Sequence, residues 1–238
     1  MNLKDTVAFV TGANRGLGLS FVRALKTAGV KKIYAAARDP LSITEPGVIA
    51  VKLDVTKPEQ AAAAAELASD ATLVINNAGI AKVMGFLDPA AIENMRDTYE
   101  TNVFGIVHVS RAFAPVLKKN GGGALLNVLS VASWMNGGLL SVYASSKSAA
   151  WGVTNGLREE LKAQGTQVTG LHVGFMDTDM TKGFDVDKIG PDEVARLTLE
   201  QMEQGALEVV ADEISKNVKA GLSQGFYLNP PARPIPQE

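Results

Sequence analysis

Short, unbroken apolar runs alternate with longer stretches of helical period along most of this chain, and that alternation restricts its fold more than any other feature. "TVAFVT" (6–11) is too short for a helix and reads as a buried strand; "GLGLSFVRALKTAG" (16–29) is helical and stops at Gly29. "KKIYAAA" (31–37) and "GVIAVKLDV" (47–55) read as the next two strands, and "KPEQAAAAAELAS" (57–69) as a helix with proline in its first turn. "TLVINNAG" (72–79) is a strand running into a loop. A helical region covers about 88–119, in which Pro115 should loosen the hydrogen-bond ladder. "GGALLNVLSV" is a strand, 141–164 a helix, and "TQVTGLHVG" another strand. Strands that are apolar throughout, rather than alternating, are covered on both sides. The expectation is an α/β fold: a doubly wound parallel sheet with helices on both faces.

No repeat or linker divides the chain, so residues 1–228 are expected to form a single domain, followed by an extended or disordered proline-rich tail at 229–238. Near the C-terminus "VADEISKNVKAGL" reads as a helix rather than a further strand. Of the 238 residues 46% are hydrophobic and 20% charged, enough apolar material for a substantial core. A formal charge of −2 gives no bulk attraction to nucleic acid or anionic membrane. There is no cysteine, hence no disulfide or thiolate chemistry. The start lacks the features of a signal peptide and no apolar run could span a bilayer, so a cytoplasmic protein is expected.

"VTGANRGLGLS" joins the first strand to the first helix. Gly12 allows the tight turn, and Gly16 and Gly18 let the backbone approach a bulky anion at a helix N-terminus. No G-x-x-x-x-G-K-[ST] is present, which disfavours nucleoside triphosphate hydrolysis. About 20 residues beyond such a loop, a carboxylate often holds the ribose of NAD. Here that position falls at Ala37, followed by Arg38 and Asp39. The small residue leaves room for a 2′-phosphate that Arg38 can grip, with Arg15 adding charge. Asp39 could instead serve an NAD ribose or cap the turn. NADP(H) is the favoured cofactor, with NAD(H) the alternative.

With "TGANRGLG", "NNAG" at 76–79, "ETNVFG" at 100–105, Ser130 and "YASSK" at 143–147, the sequence resembles the short-chain dehydrogenase/reductase family over residues 6 to about 180. The resemblance implies a Rossmann-type fold and a catalytic set of Asn102, Ser130, Tyr143 and Lys147. It also implies cofactor contacts from Gly12, Asn14, Arg15, Gly16, Leu17 and Gly18 in the first loop, and from Arg38. Asp54 and Val55 follow the third strand, and Asn76, Ala78 and Gly79 the fourth. Tyr143 and Lys147 serve the cofactor as well. "HVGFMDT" at 172–178 aligns with the family's Pro-Gly-x-x-x-Thr stretch, adding Gly174, Met176 and Thr178, with Val173 in place of the proline.

The chemistry implied is hydride transfer between the cofactor and a carbonyl or alcohol. Tyr143 is the acid in reduction and the base in oxidation, and the Lys147 ammonium is expected to lower its pKa. Ser130 donates to the substrate oxygen, and Asn102 holds a water that links Lys147 to solvent. No metal is expected: His108 and His172 have no ligand spacing and read as structural. Glu159 and Glu160 read as a solvated helix face, and Trp151, Phe184 and Met180 as packing.

Trp134, Met135 and Leu139, with Met84 opposite, are expected to wall an apolar substrate pocket, and 179–190 to form a mobile lid. The expected substrate is a neutral, moderately apolar carbonyl compound or secondary alcohol. Two alternatives keep the same scaffold: a non-catalytic NADP(H)-sensing regulatory protein, and a lyase or epimerase. The helices at about 91–119 and 141–164 are expected to pair two chains as a homodimer, with a tetramer undetermined.

Overall fold

Strand β1 (Val7–Thr11) is buried along its whole length, as are β4 (Leu73–Asn76) and β5 (Ala124–Val128). Their flanks are β2 (Lys32–Ala37) and β3 (Ile49–Lys52) on one side, and β6 (Gln167–His172) and β7 (Glu208–Val210) on the other. All seven run parallel in the order β3-β2-β1-β4-β5-β6-β7. Strand order reverses between β1 and β4, which leaves a crevice at their C-terminal ends, where ligands bind in sheets of this kind. This computed structural model describes residues 1–228, so the expected tail at 229–238 lies outside the described residues.

Helices cover both faces. On one, α1 (Gly16–Thr27) and α6 (Pro191–Glu203) set Leu17, Phe21, Leu25, Leu199 and Met202 against Val10, Ile75 and Leu126. On the other, α2 (Pro58–Leu67), α4 (Gly105–Lys119) and α5 (Ser141–Lys162) set Ala61, Ala64, Phe113, Leu117 and Leu161 against Phe9, Val74 and Leu125. The alanine run of α2 therefore supplies a thin apolar face: Ala61, Ala64 and Ala65 are buried.

The local structure departs from expectation at two places. The helical region at about 88–119 carries, besides Pro115, an irregularity that was not expected: a π-helical turn at Glu100–Phe104 between α3 (Ala91–Tyr99) and α4. There the Gly105 N–H reaches back five residues to Glu100 O. Helix α4 runs through Pro115; the carbonyl that loses a partner belongs to exposed Arg111, where solvent is at hand. Near the C-terminus the chain first forms β7, too short for a visible period, and only then α7 (Glu213–Gly221), capped by Asp212. The segment at 179–190 is tied at its far end, with Ile189 N bonded to Phe175 O and Asp177 N to Ile189 O, and Phe184 is buried, as its reading as a packing residue expected.

Candidate active site

The loop after β1 takes its shape from glycine. Gly12 and Gly16 have φ of 63° and 51°, in the left-handed region. A Cβ on Gly18 would lie 2.1 Å from Gly12 O, so only glycine lets the first turn of α1 pass over the loop. Asn77, which the sequence reading did not single out, clasps this loop: its Nδ2 donates to Thr11 O at 2.9 Å and Gly12 O at 3.2 Å. Thr11 Oγ1 in turn accepts from the N–H groups of Asn77 and Ala78, at 3.0 Å each. Arg15, at the N-cap, makes no side-chain cap, so the amides of Gly16, Leu17 and Gly18 at the start of α1 carry no capping side chain. An uncapped helix N-terminus behind a glycine turn fits a diphosphate.

The opposite wall is the loop after β6. The space beside Gly16 faces Thr178, whose Cγ2 would be 3.7 Å from an added Cβ. Arg15 forms an exposed ion pair at 3.6 Å with Asp179. Half-buried Met176 bridges to Ile189. Val173, in the place of the family's proline, is buried, and Asp212 Oδ2 accepts from Gly174 N at 2.7 Å just after it. Asp212 lies on the far side of β7, so nothing in the local sequence marks it as a partner of this loop.

Beyond β2, Ala37 is buried and Arg38 exposed with no polar partner among the described residues. Asp39 caps a turn by accepting from Leu41 N at 3.0 Å. Asp54 is half-buried; its Oδ1 accepts from Thr56 N at 3.0 Å and Thr56 Oγ1 at 2.8 Å. Val55 packs under α4, where a Cβ on Gly105 would meet its Cγ2 at 2.8 Å, and His108 Nδ1 donates to its carbonyl at 3.1 Å. Asn14, half-buried, completes the first loop. Asn76 turns inward: its Nδ2 donates to Asn127 Oδ1 at 2.9 Å and Ser110 Oγ at 3.3 Å in a buried network. The residues that remain at the cleft after β4 are Ala78 and Gly79.

Gly79 leads to the second group of residues. A Cβ on it would lie 3.3 Å from Asn102 Oδ1 and 3.8 Å from Lys147 Nζ. Asn102, in the π-helical turn, is buried; it accepts from Ile80 N and donates to Ile80 O, both at 2.9 Å, and donates to Ser146 Oγ at 3.0 Å. Both amide hydrogens are thus committed to protein. In this structure the Asn102 side chain ties the loop after β4 to α5, rather than offering a donor to the expected water. Lys147 is buried and donates to Val128 O at 2.8 Å, with its Nζ 5.7 Å from the centre of the Tyr143 ring. Ser130, after β5, accepts from Ala132 N at 3.1 Å and donates to Val173 O at 3.3 Å.

Electrostatics here run against the expectation for Tyr143. Burial pushes its phenol up to about 12, opposed only by the neighbouring Ser130 hydroxyl. Burial also brings Lys147 down to about 8. The reason is that desolvation disfavours both charged forms, and the ammonium is turned to a backbone carbonyl rather than to the phenol oxygen. In the protein as it stands, Tyr143 is an acid holding its proton.

The expected substrate wall is corrected too. Trp134 and Met135 are buried in a cluster with Val218 of α7, not at the cleft. Leu139 is 47% exposed, and the loop after β4 adds exposed Val83, Phe86 and Leu87 and half-buried Met84. Gly85 brings the two rims together, since its Cβ would be 3.8 Å from Gly138 O.

Residues 6–188 match the family model for short chain dehydrogenase. This chain belongs to that family. It is 32% identical over 216 residues to 3-oxoacyl-[acyl-carrier-protein] reductase FabG of Vibrio cholerae, covering 87% of this chain and 86% of the relative. It is 32% identical over 243 residues to 1-deoxy-11-beta-hydroxypentalenate dehydrogenase of Streptomyces exfoliatus, covering 96% and 84%. A short chain dehydrogenase from Burkholderia cenocepacia, solved in complex with NADP, superposes with a TM-score of 0.93 at 35% identity, covering 98% of this chain and all of that one. The short chain dehydrogenase described here is an NAD(P)-dependent oxidoreductase with a Rossmann-like sheet. No helix among its described residues is long and apolar enough to cross a membrane.

Proposed function

We propose that the chain transfers hydride between NADP(H) and a neutral, moderately apolar carbonyl compound or secondary alcohol. The observation that carries this reading is the meeting of Ser130, Tyr143 and Lys147 beside Gly79 in the loop after β4, with Tyr143 held as a protonated acid. Bound at the loop, the nicotinamide would supply or take up the hydride. In reduction, Tyr143 passes its proton to the substrate oxygen, and Ser130 donates to the same oxygen as negative charge develops there. Lys147 and Asn102 hold the surrounding backbone, through Val128 O and Ile80. The exposed rim of Val83, Phe86, Leu87 and Leu139 favours an apolar substrate. Relatives named as a reductase and a dehydrogenase support the chemistry in both directions. The test is a panel of carbonyl compounds and secondary alcohols, followed at the nicotinamide absorbance band; no turnover with either cofactor removes the reading.

Arg38, exposed and unpaired at the end of β2, supports NADP(H), because Asp39 is already used as a cap. Arg38→Ala is expected to weaken NADPH at least about tenfold while leaving NADH within about twofold. Equal losses in a fluorescence titration would leave the 2′-phosphate assignment without support. We also propose a homodimer through α4 and α5, beside which Phe104 is 46% exposed; a monomer's mass by light scattering would sink it.

A further inference from the structure

His172 ends β6 with no exposure to solvent, and no step above uses it. Its Nδ1 lies 3.1 Å from the carbonyl oxygen of Ser130. A carbonyl oxygen only accepts, so Nδ1 carries the hydrogen. Nε2 makes no hydrogen bond of normal length, and Glu208 Oε1, at the start of β7, is 3.5 Å from it. The flat of the ring stacks on Trp134, with centroids 3.7 Å apart and planes 15° apart. Trp151 meets its edge at 6.4 Å. The ring is thus fixed on its face, at its edge and at its inner nitrogen.

These contacts converge on the turn that carries Ser130. The next residue along β6's exit, Val173, accepts from both Ser130 Oγ and Val131 N. His172 and Val173 therefore hold Ser130 by its backbone and by its hydroxyl. A hydroxyl that must meet a developing charge is sensitive to small displacements: about 1 Å can cost on the order of a hundredfold in rate.

We propose that His172 is a positioning residue for Ser130: its Nδ1–H holds the Ser130 carbonyl, Trp134 and Trp151 fix the ring, and the Ser130 hydroxyl is thereby kept beside Tyr143. This rests on the reading of Ser130 given above, and two measurements keep the failure of one apart from the failure of the other. In protein labelled with nitrogen-15 histidine, one ring is expected to show an exchange-protected hydrogen on Nδ1 that is missing in His172→Asn. A His172 ring carrying its hydrogen on Nε2 alone overturns the proposal, whether or not a substrate has been found. In the second measurement, His172→Phe keeps the ring and its stack but has no N–H. Its kcat is expected to fall about 10- to 100-fold, with the carbonyl KM and NADPH affinity within about threefold. His172→Asn places an amide N–H where Nδ1 was and should recover most of that loss. His172→Gln places it where Nε2 was and should not, and this pair decides the matter even if the Phe variant does not fold. Equal kcat in the Asn and Gln variants overturns the proposal.

Discussion

Tyr143→Phe is expected to cut turnover at least about a thousandfold while leaving NADPH affinity within about threefold. The ring itself is half-buried and phenylalanine preserves its packing, so the loss is confined to one hydroxyl. That hydroxyl is the group aligned with Ser130 and raised to about 12 by burial. In the proposed reduction it would enter the reaction protonated, as an acid requires. Oxidation needs the phenolate, which burial opposes. Steady-state rates and a cofactor titration on the same variant check both halves; a variant with retained rate takes Tyr143 out of the mechanism.

Lys147→Met is expected to do two opposite things: lower turnover by at least about a hundredfold, with weaker cofactor binding, and raise thermal stability near neutral pH. Burial brings the Lys147 ammonium from its ordinary 10.5 to about 8. At about 1.4 kcal/mol per pKa unit, holding it charged in the fold costs on the order of 3 kcal/mol. Its hydrogen bond to Val128 O returns about 1 kcal/mol. Methionine escapes the cost of burying a charge and forfeits only that hydrogen bond, for a net gain of about 1–2 kcal/mol. The folded-state value lies below the unfolded one, so between about pH 8 and 10.5 the unfolded chain binds the extra proton. Wild-type stability from this group therefore rises across that window, and the advantage of methionine shrinks. Thermal unfolding of both proteins at neutral and alkaline pH reads this directly; a gap that does not narrow with pH ends the buried-charge account.

The local elements were legible where their physics is local. A continuous apolar run such as "VAFVT" has no way to be half-exposed, and the chain made it the central strand β1. The glycines of the first loop were legible because all three need backbone angles or clearances that a Cβ forbids. The order of motifs along the chain pointed to the family that the comparisons then showed. What escaped were short or irregular pieces: β7 with three residues, and the π-helical turn at Glu100–Phe104, which has the composition of an ordinary helix.

By itself, then, the sequence determined the alternation of strands and helices, the glycine turn and the residue types available for proton transfer, because each depends on neighbours within a few positions. Only the tertiary structure decided which way side chains turn and what burial does to their charges. Trp134 went to His172 instead of the substrate, and Asn76 went to Asn127 instead of the cleft. Asp212 came to hold Gly174, and the phenol of Tyr143 rose instead of falling. Those outcomes depend on contacts between residues far apart in the chain and on the removal of water around them, and neither is written in local spacing.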